Sequence, residues 1–83
     1  MVKFYLISIE NGVAKYEYYP EGYMDKEPGI ILFDTASCEF VLEKISEEEL
    51  PYKRYGYVAH AKWRIRDLFE EGTLPEKGMV AWY

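Results

Sequence analysis

The sequence predicts an α+β domain: an antiparallel meander of about four strands, one long helix packed on one face, and a short fifth strand at the C-terminal end. Three observations predict it. Two alternating, tyrosine-rich runs flank Asn11-Gly12, and a second pair of strand-like runs follows them. From about Tyr52 the apolar spacing lengthens from two residues to between three and four. After a Gly- and Pro-containing stop, the chain ends in a short apolar segment. A length of 83 residues fits one domain, residues 1–83, with no repeat, linker or low-complexity stretch.

The first hairpin follows from its turn. Asn-Gly suits a two-residue loop in which both central positions need positive φ. Regular pairing then opposes Ile9 to Ala14, Ile7 to Tyr16 and Tyr5 to Tyr18, and opposed residues share a face. Tyr5, Ile7, Ile9, Ala14, Tyr16 and Tyr18 are the purer apolar set and are expected to face the core. Phe4, Leu6, Lys15, Glu17 and Tyr19 fall on the other side. Residues 20–29 read as a loop punctuated by Pro and Gly at both ends. The continuous apolar run 29–34 reads as a strand covered on both faces. Residues 34–37 form a polar turn, and 38–45 resume alternation with Phe40 and Leu42 out of phase with Glu39 and Glu43.

Ser46-Glu-Glu-Glu49 has capping-box spacing. From about residue 52 to 71, Val58, Ala61, Ile65, Leu68 and Phe69 fall on a single stripe, as a helix lying across the sheet requires. Gly72 and Pro75 mark its end. Residues 79–83 are expected to return to the sheet as a fifth strand.

Ten basic and fifteen acidic residues leave a formal charge of −5, which favours solubility and disfavours nucleic acid or anionic membrane as partners. The one cysteine, Cys38, excludes an intramolecular disulfide. No stretch approaches the ~20 apolar residues of a membrane-spanning helix. The N-terminal segment lacks the apolar core and cleavage site of a secretory signal. A cytoplasmic protein is the expectation.

Few residues could carry chemistry. His60 is the only histidine, and no motif supplies it with a nucleophile. Cys38 has Asp34 and Glu39 as neighbours, and acidic company works against a thiolate. One His and one Cys cannot close a zinc site, and the acidic runs lack a calcium-loop pattern. No phosphate-cradling glycine loop occurs. No metal, cofactor or catalytic residue is therefore expected. The segment 53–66 is different: Lys53, Arg54, Lys62, Arg64 and Arg66 stand among Tyr55, Tyr57 and Trp63 with no acid between them. Bases among aromatics can hold single-stranded nucleic acid. A solvated helix face paired with the acidic sheet is the competing account. Residues 1–46 hold eight acids and four bases, which also permits mimicry of a phosphate surface.

Nine tyrosines are more than a core this small can bury, and Tyr is enriched at protein interfaces. The binding candidates are Tyr52, Lys53, Tyr55, Tyr57, His60 and Arg64. The segments Ile9-Glu-Asn-Gly-Val-Ala-Lys-Tyr16, Tyr18-Tyr-Pro-Glu-Gly22 and Glu76-Lys-Gly-Met-Val-Ala-Trp-Tyr83 resemble a set of short uncharacterised bacterial proteins sharing this kind of ending. The resemblance spans nearly the whole chain. It implies a bacterial cytoplasmic origin and carries over no catalytic or binding residue. A noncatalytic protein-interaction module, acting on another protein or as a homo-oligomer, is the expected function. Nucleic-acid contact through 53–66 is the alternative, and an enzyme using His60 comes third.

Overall fold

The computed structural model describes residues 1–51 and 55–81. Strands β1 (Val2–Glu10), β2 (Val13–Pro20), β3 (Gly29–Asp34), β4 (Glu39–Lys44) and β5 (Lys77–Val80) form one antiparallel sheet in the order β4-β3-β2-β1-β5. Helix α1 (Gly56–Glu70) packs on one face of it. The chain leaves the β4 edge, crosses the sheet as α1 and adds β5 to the opposite edge, beside β1. The α+β architecture is the one the sequence predicts.

The β1–β2 turn is as read: Asn11 and Gly12 have φ of 52° and 77°. The register is regular from Glu10↔Val13 to Ser8↔Lys15, then shifts, because Leu6 and not Ile7 stands opposite Tyr16. Ile7 is the extra residue of a β-bulge, which reverses the phase of everything before it. Val2 and Phe4 are fully buried against Tyr16 and Tyr18, whereas Tyr5 is only half-buried and Ile7 and Ile9 are 49% and 53% exposed. The expected core face is thus correct for β2; in β1 Ile9 keeps its expected place opposite Ala14, though exposed, and Tyr5 and Ile7 are corrected. Lys3 supplies a reason. A bulge-free ladder would turn Lys3 toward the helix, and burying an unpaired ammonium is costly. The bulge sends it outward and brings in Val2 and Phe4.

β3 also differs from expectation. Its burial alternates, with Ile31 and Phe33 buried and Ile30 and Leu32 half-exposed, so only one face is covered. A continuous apolar run cannot by itself reveal a missing layer. Cys38 lies in the β3–β4 turn with φ 59°, not in β4, and its N–H donates to the Asp34 carbonyl at 2.7 Å.

The helical stripe is met at Val58, Ala61 and Ile65, which are buried. Phe69 meets Phe33 edge-on at 5.2 Å, and Phe33 stacks on Phe40 at 4.6 Å. α1 closes with a Schellman motif: Gly72 (φ 112°) donates to the Phe69 carbonyl at 2.9 Å, and Thr73 to the Leu68 carbonyl at 3.2 Å. The expected start of the helix near residue 52 falls on 52–54, outside the described residues. β5 begins two residues earlier than expected, and residues 82–83 also lie outside the described set.

Two glycines let large rings lie flat over neighbouring strands. Gly29 pairs with Tyr18 and Gly78 with Phe4. A β-carbon at either position would overlap the ring of its partner. Gly29→Ala and Gly78→Ala should each destabilise by about 1–3 kcal/mol, the usual cost of overpacking, seen as a lowered midpoint in urea unfolding. A wild-type midpoint in either variant would show that the ring is not seated there.

Candidate functional site

The loop end of the domain is organised by a buried polar network. Ser46 and Glu49 are 0% and 2% exposed. Ser46 Oγ accepts the Glu49 N–H at 3.3 Å, and Ser46 Oγ donates to Glu49 Oε1 at 3.3 Å. This is half of the expected capping box. The second half is redirected: Ser46 N–H donates to the Tyr18 hydroxyl at 3.1 Å, and Glu49 Oε2 accepts the backbone N–H of Tyr57 at 3.1 Å. Tyr55, at the N-cap of α1, makes no side-chain cap bond. Glu49 takes that role from outside the helix, placing negative charge at its positive end.

The loop 21–28 is stitched to the same end. The Tyr57 hydroxyl donates to Glu21 Oε1 at 2.8 Å, Lys26 pairs with Glu48, and the Glu47 N–H donates to the Glu27 carbonyl at 3.0 Å. The Tyr57 hydroxyl, with help from the Met1 amino group, holds the Glu21 carboxyl below its usual range. Burial, reinforced by Glu21, pushes the Tyr57 phenol up to about 12. Burial alone pushes Tyr16 up to about 12; its hydroxyl donates to the Pro75 carbonyl at 2.7 Å. The buried Tyr18 phenol is raised further, first by burial and then by Glu49.

Of the binding candidates, Tyr52 and Lys53 lie outside the described residues. Tyr55 is exposed just before α1, and Tyr57 is half-buried with its hydroxyl on Glu21. The His60 ring packs edge-on to Trp63 at 5.2 Å, and Arg64 is exposed. Tyr57, His60 and Arg64 do share one side of the helix. The wider basic group does not: at 100° per residue Arg64 and Arg66 are roughly 160° apart. Lys62, a near neighbour of Arg66, lies 5.9 Å over the Phe40 ring toward β4. Trp63, 53% exposed, stands on the outer crest between these flanks. Pairing with the acidic sheet is not seen for the described cations of this segment, and Lys53 and Arg54 lie outside the described residues. Lys15, Lys26 and Lys44 are paired with carboxylates, but no described carboxylate lies within 4 Å of Lys62, Arg64 or Arg66.

The sequence reading missed a second surface. Among the described residues, no element covers the sheet face away from α1. That face carries half-buried Tyr5 and Tyr19, in edge-on contact at 5.8 Å, together with Ile30, Leu32 and the exposed Val41 and Met79. Toward the hairpin turns it sinks into two shallow depressions of about 320 and 200 Å³ that share Val13 and Leu32. Val41 extends this apolar floor, while Glu10, Asp34, Glu39 and Glu43 rim it. The one base among them, Lys15, sits 3.7 Å from Glu43. The outward phase of Val41 and of Lys15 was the available signal, and reading β3 as doubly covered hid it.

Among the described residues, no group of three or more His, Cys, Asp or Glu side chains could hold a metal ion. No helix among them is long and apolar enough to cross a membrane. Comparison with protein-family models, with curated proteins and with solved structures returned no match.

Glu49→Ala should cost about 1–3 kcal/mol, because it strips a partner from buried donors. Glu49→Gln keeps an acceptor oxygen and should cost less; equal urea midpoints for the two variants would refute the capping role. The raised tyrosines set an alkaline limit. A phenol that ionises near 10.0 in the unfolded chain and near 12 in the fold contributes stability that is intact below about pH 10 and lost as pH rises through about 12. Unfolding free energy should therefore decline across that window, and Tyr16→Phe should flatten the decline.

Proposed function

We propose that this domain is a noncatalytic protein-binding module that receives its partner on the uncovered sheet face. The observation that carries this reading is a five-stranded sheet that no described element covers on one side, with tyrosine, aliphatic and methionine side chains left half-covered there. Tyr and Met are enriched in protein interfaces, where an apolar centre is ringed by polar groups. The floor of Val13, Leu32 and Val41 within its acidic rim has that layout. The single cysteine is compatible with a reducing compartment, and the resemblance noted for the chain supports a bacterial cytoplasm.

Contact with nucleic acid through α1 is the weaker reading. No described carboxylate pairs with its cations, but they are split between two flanks, and the net charge of −5 opposes a polyanion.

A photo-reactive side chain at Val41 tests the proposal. On illumination in lysate it should yield one discrete protein adduct, while the same group at Thr73, beyond the helix C-terminus, should not. No adduct at Val41, or equal adducts at both positions, would overturn the reading.

A further inference from the structure

The cations of α1 are not placed for the benefit of the helix. Its first turn holds no acid and its last turn no base. Lys62 and Arg66 are like charges four residues apart, and Asp67, Glu70 and Glu71 crowd the negative end. The like pair and the acidic last turn oppose the helix's own electrostatics, and Arg64–Asp67 and Arg66–Glu70, although at supporting spacings, form no ion pair within 4 Å. None of the three cations is neutralised by a described carboxylate. Between them Trp63 projects half-exposed, and Trp flanked by Arg is the composition of an interface anchor.

The opposite surface of the molecule has the complementary form. The depression in the uncovered sheet face has an apolar floor and four carboxylates against one lysine, itself paired. The sheet face then changes sign, with Lys3 and Lys77 beside Tyr5 and Met79 toward β5. Along α1 the charge also changes sign, from Lys62, Arg64 and Arg66 to Asp67, Glu70 and Glu71. An apolar knob between cations thus faces one way, and an apolar hollow among carboxylates faces the other.

We infer that this domain associates with copies of itself head to tail, the Trp63 crest of one copy seating in the Val13–Leu32–Val41 hollow of the next. The inference rests on the reading of the uncovered sheet face as the binding surface, and it names a second copy as the occupant. The two surfaces differ and lie on opposite sides of a two-layer domain, so the contact is heterologous and propagates as an open stack.

Two surface variants test it. The helix variant carries Arg64→Gln and Arg66→Gln; the sheet variant carries Glu39→Gln and Glu43→Gln, neutral changes that create no new complementary pair between the two altered surfaces. These residues lie outside the buried core, and circular-dichroism melts confirm that each variant folds. Sedimentation of the wild type at low salt should show concentration-dependent assembly that weakens as salt is added. Each variant alone should be monomeric, its self-affinity lowered by at least about tenfold. Their mixture should form a 1:1 complex and nothing larger, since one intact hollow meets one intact crest. Adding Trp63→Ala to the sheet variant should abolish that complex, while adding it to the helix variant should not. A wild type that stays monomeric at its highest soluble concentration, variants that assemble like the wild type, or symmetric effects of Trp63→Ala would each overturn the inference. A monomeric protein that still cross-links a different protein through Val41 would leave the sheet-face reading standing and remove only the self-association.

Discussion

The phase of β1 is the constraint on which the rest of the domain depends, and one residue sets it. With Ile7 bulged out, Phe4 turns inward and its ring lies across the backbone of Gly78. That contact seats β5 beside β1 and closes the sheet on that side. Tyr5 turns outward at the same step and meets Tyr19 on the open face. The partition between interior and available surface is thus a consequence of a single inserted residue in an otherwise regular hairpin.

A second constraint ties three separate segments together. Tyr18 from the sheet, Ser46 and Glu49 from the connector, and Tyr57 from the helix share one buried set of hydrogen bonds. No described buried side-chain polar atom is left without a partner. A helix of fifteen residues whose surface charges work against its dipole is sustained by this external cap and by its apolar stripe. Of its outer charges, Lys62 lies over the Phe40 ring, and no described carboxylate pairs with Lys62, Arg64 or Arg66.

Much of this architecture could be read from residue order. Asn11-Gly12, the stripe from Val58 to Phe69 and the Gly72 stop are local signals, each with its own physical cause, and they appear where expected. The bulge was not legible. Tyr5-Ile7-Ile9 and Phe4-Leu6 are both apolar, so hydrophobic pattern alone does not choose between them; the outward demand of Lys3 and the glycines at 29 and 78 do. These are long-range facts, since each glycine has meaning only once its partner ring is known. For the same reason the surface candidates were half visible. The basic-aromatic helix stood out as a run of residue types, but its division into two flanks follows from 3.6 residues per turn. The acidic hollow is assembled from three strands that no short window contains.

The bulge has a further consequence. β5 pairs with β1 only from Val2 to Tyr5, and Leu6 donates to the Glu76 carbonyl just beyond it. Residues 7–10 therefore form an edge with no described strand beside it, and two exposed isoleucines stand along it. A flat stretch of that kind is a template for runaway strand pairing and amyloid-like growth. The kink at Ile7 breaks its hydrogen-bonding repeat where β5 gives out, leaving too short a straight segment to recruit a further chain. The same residue that orders the interior thereby interrupts the open edge, the device by which natural sheets discourage such pairing.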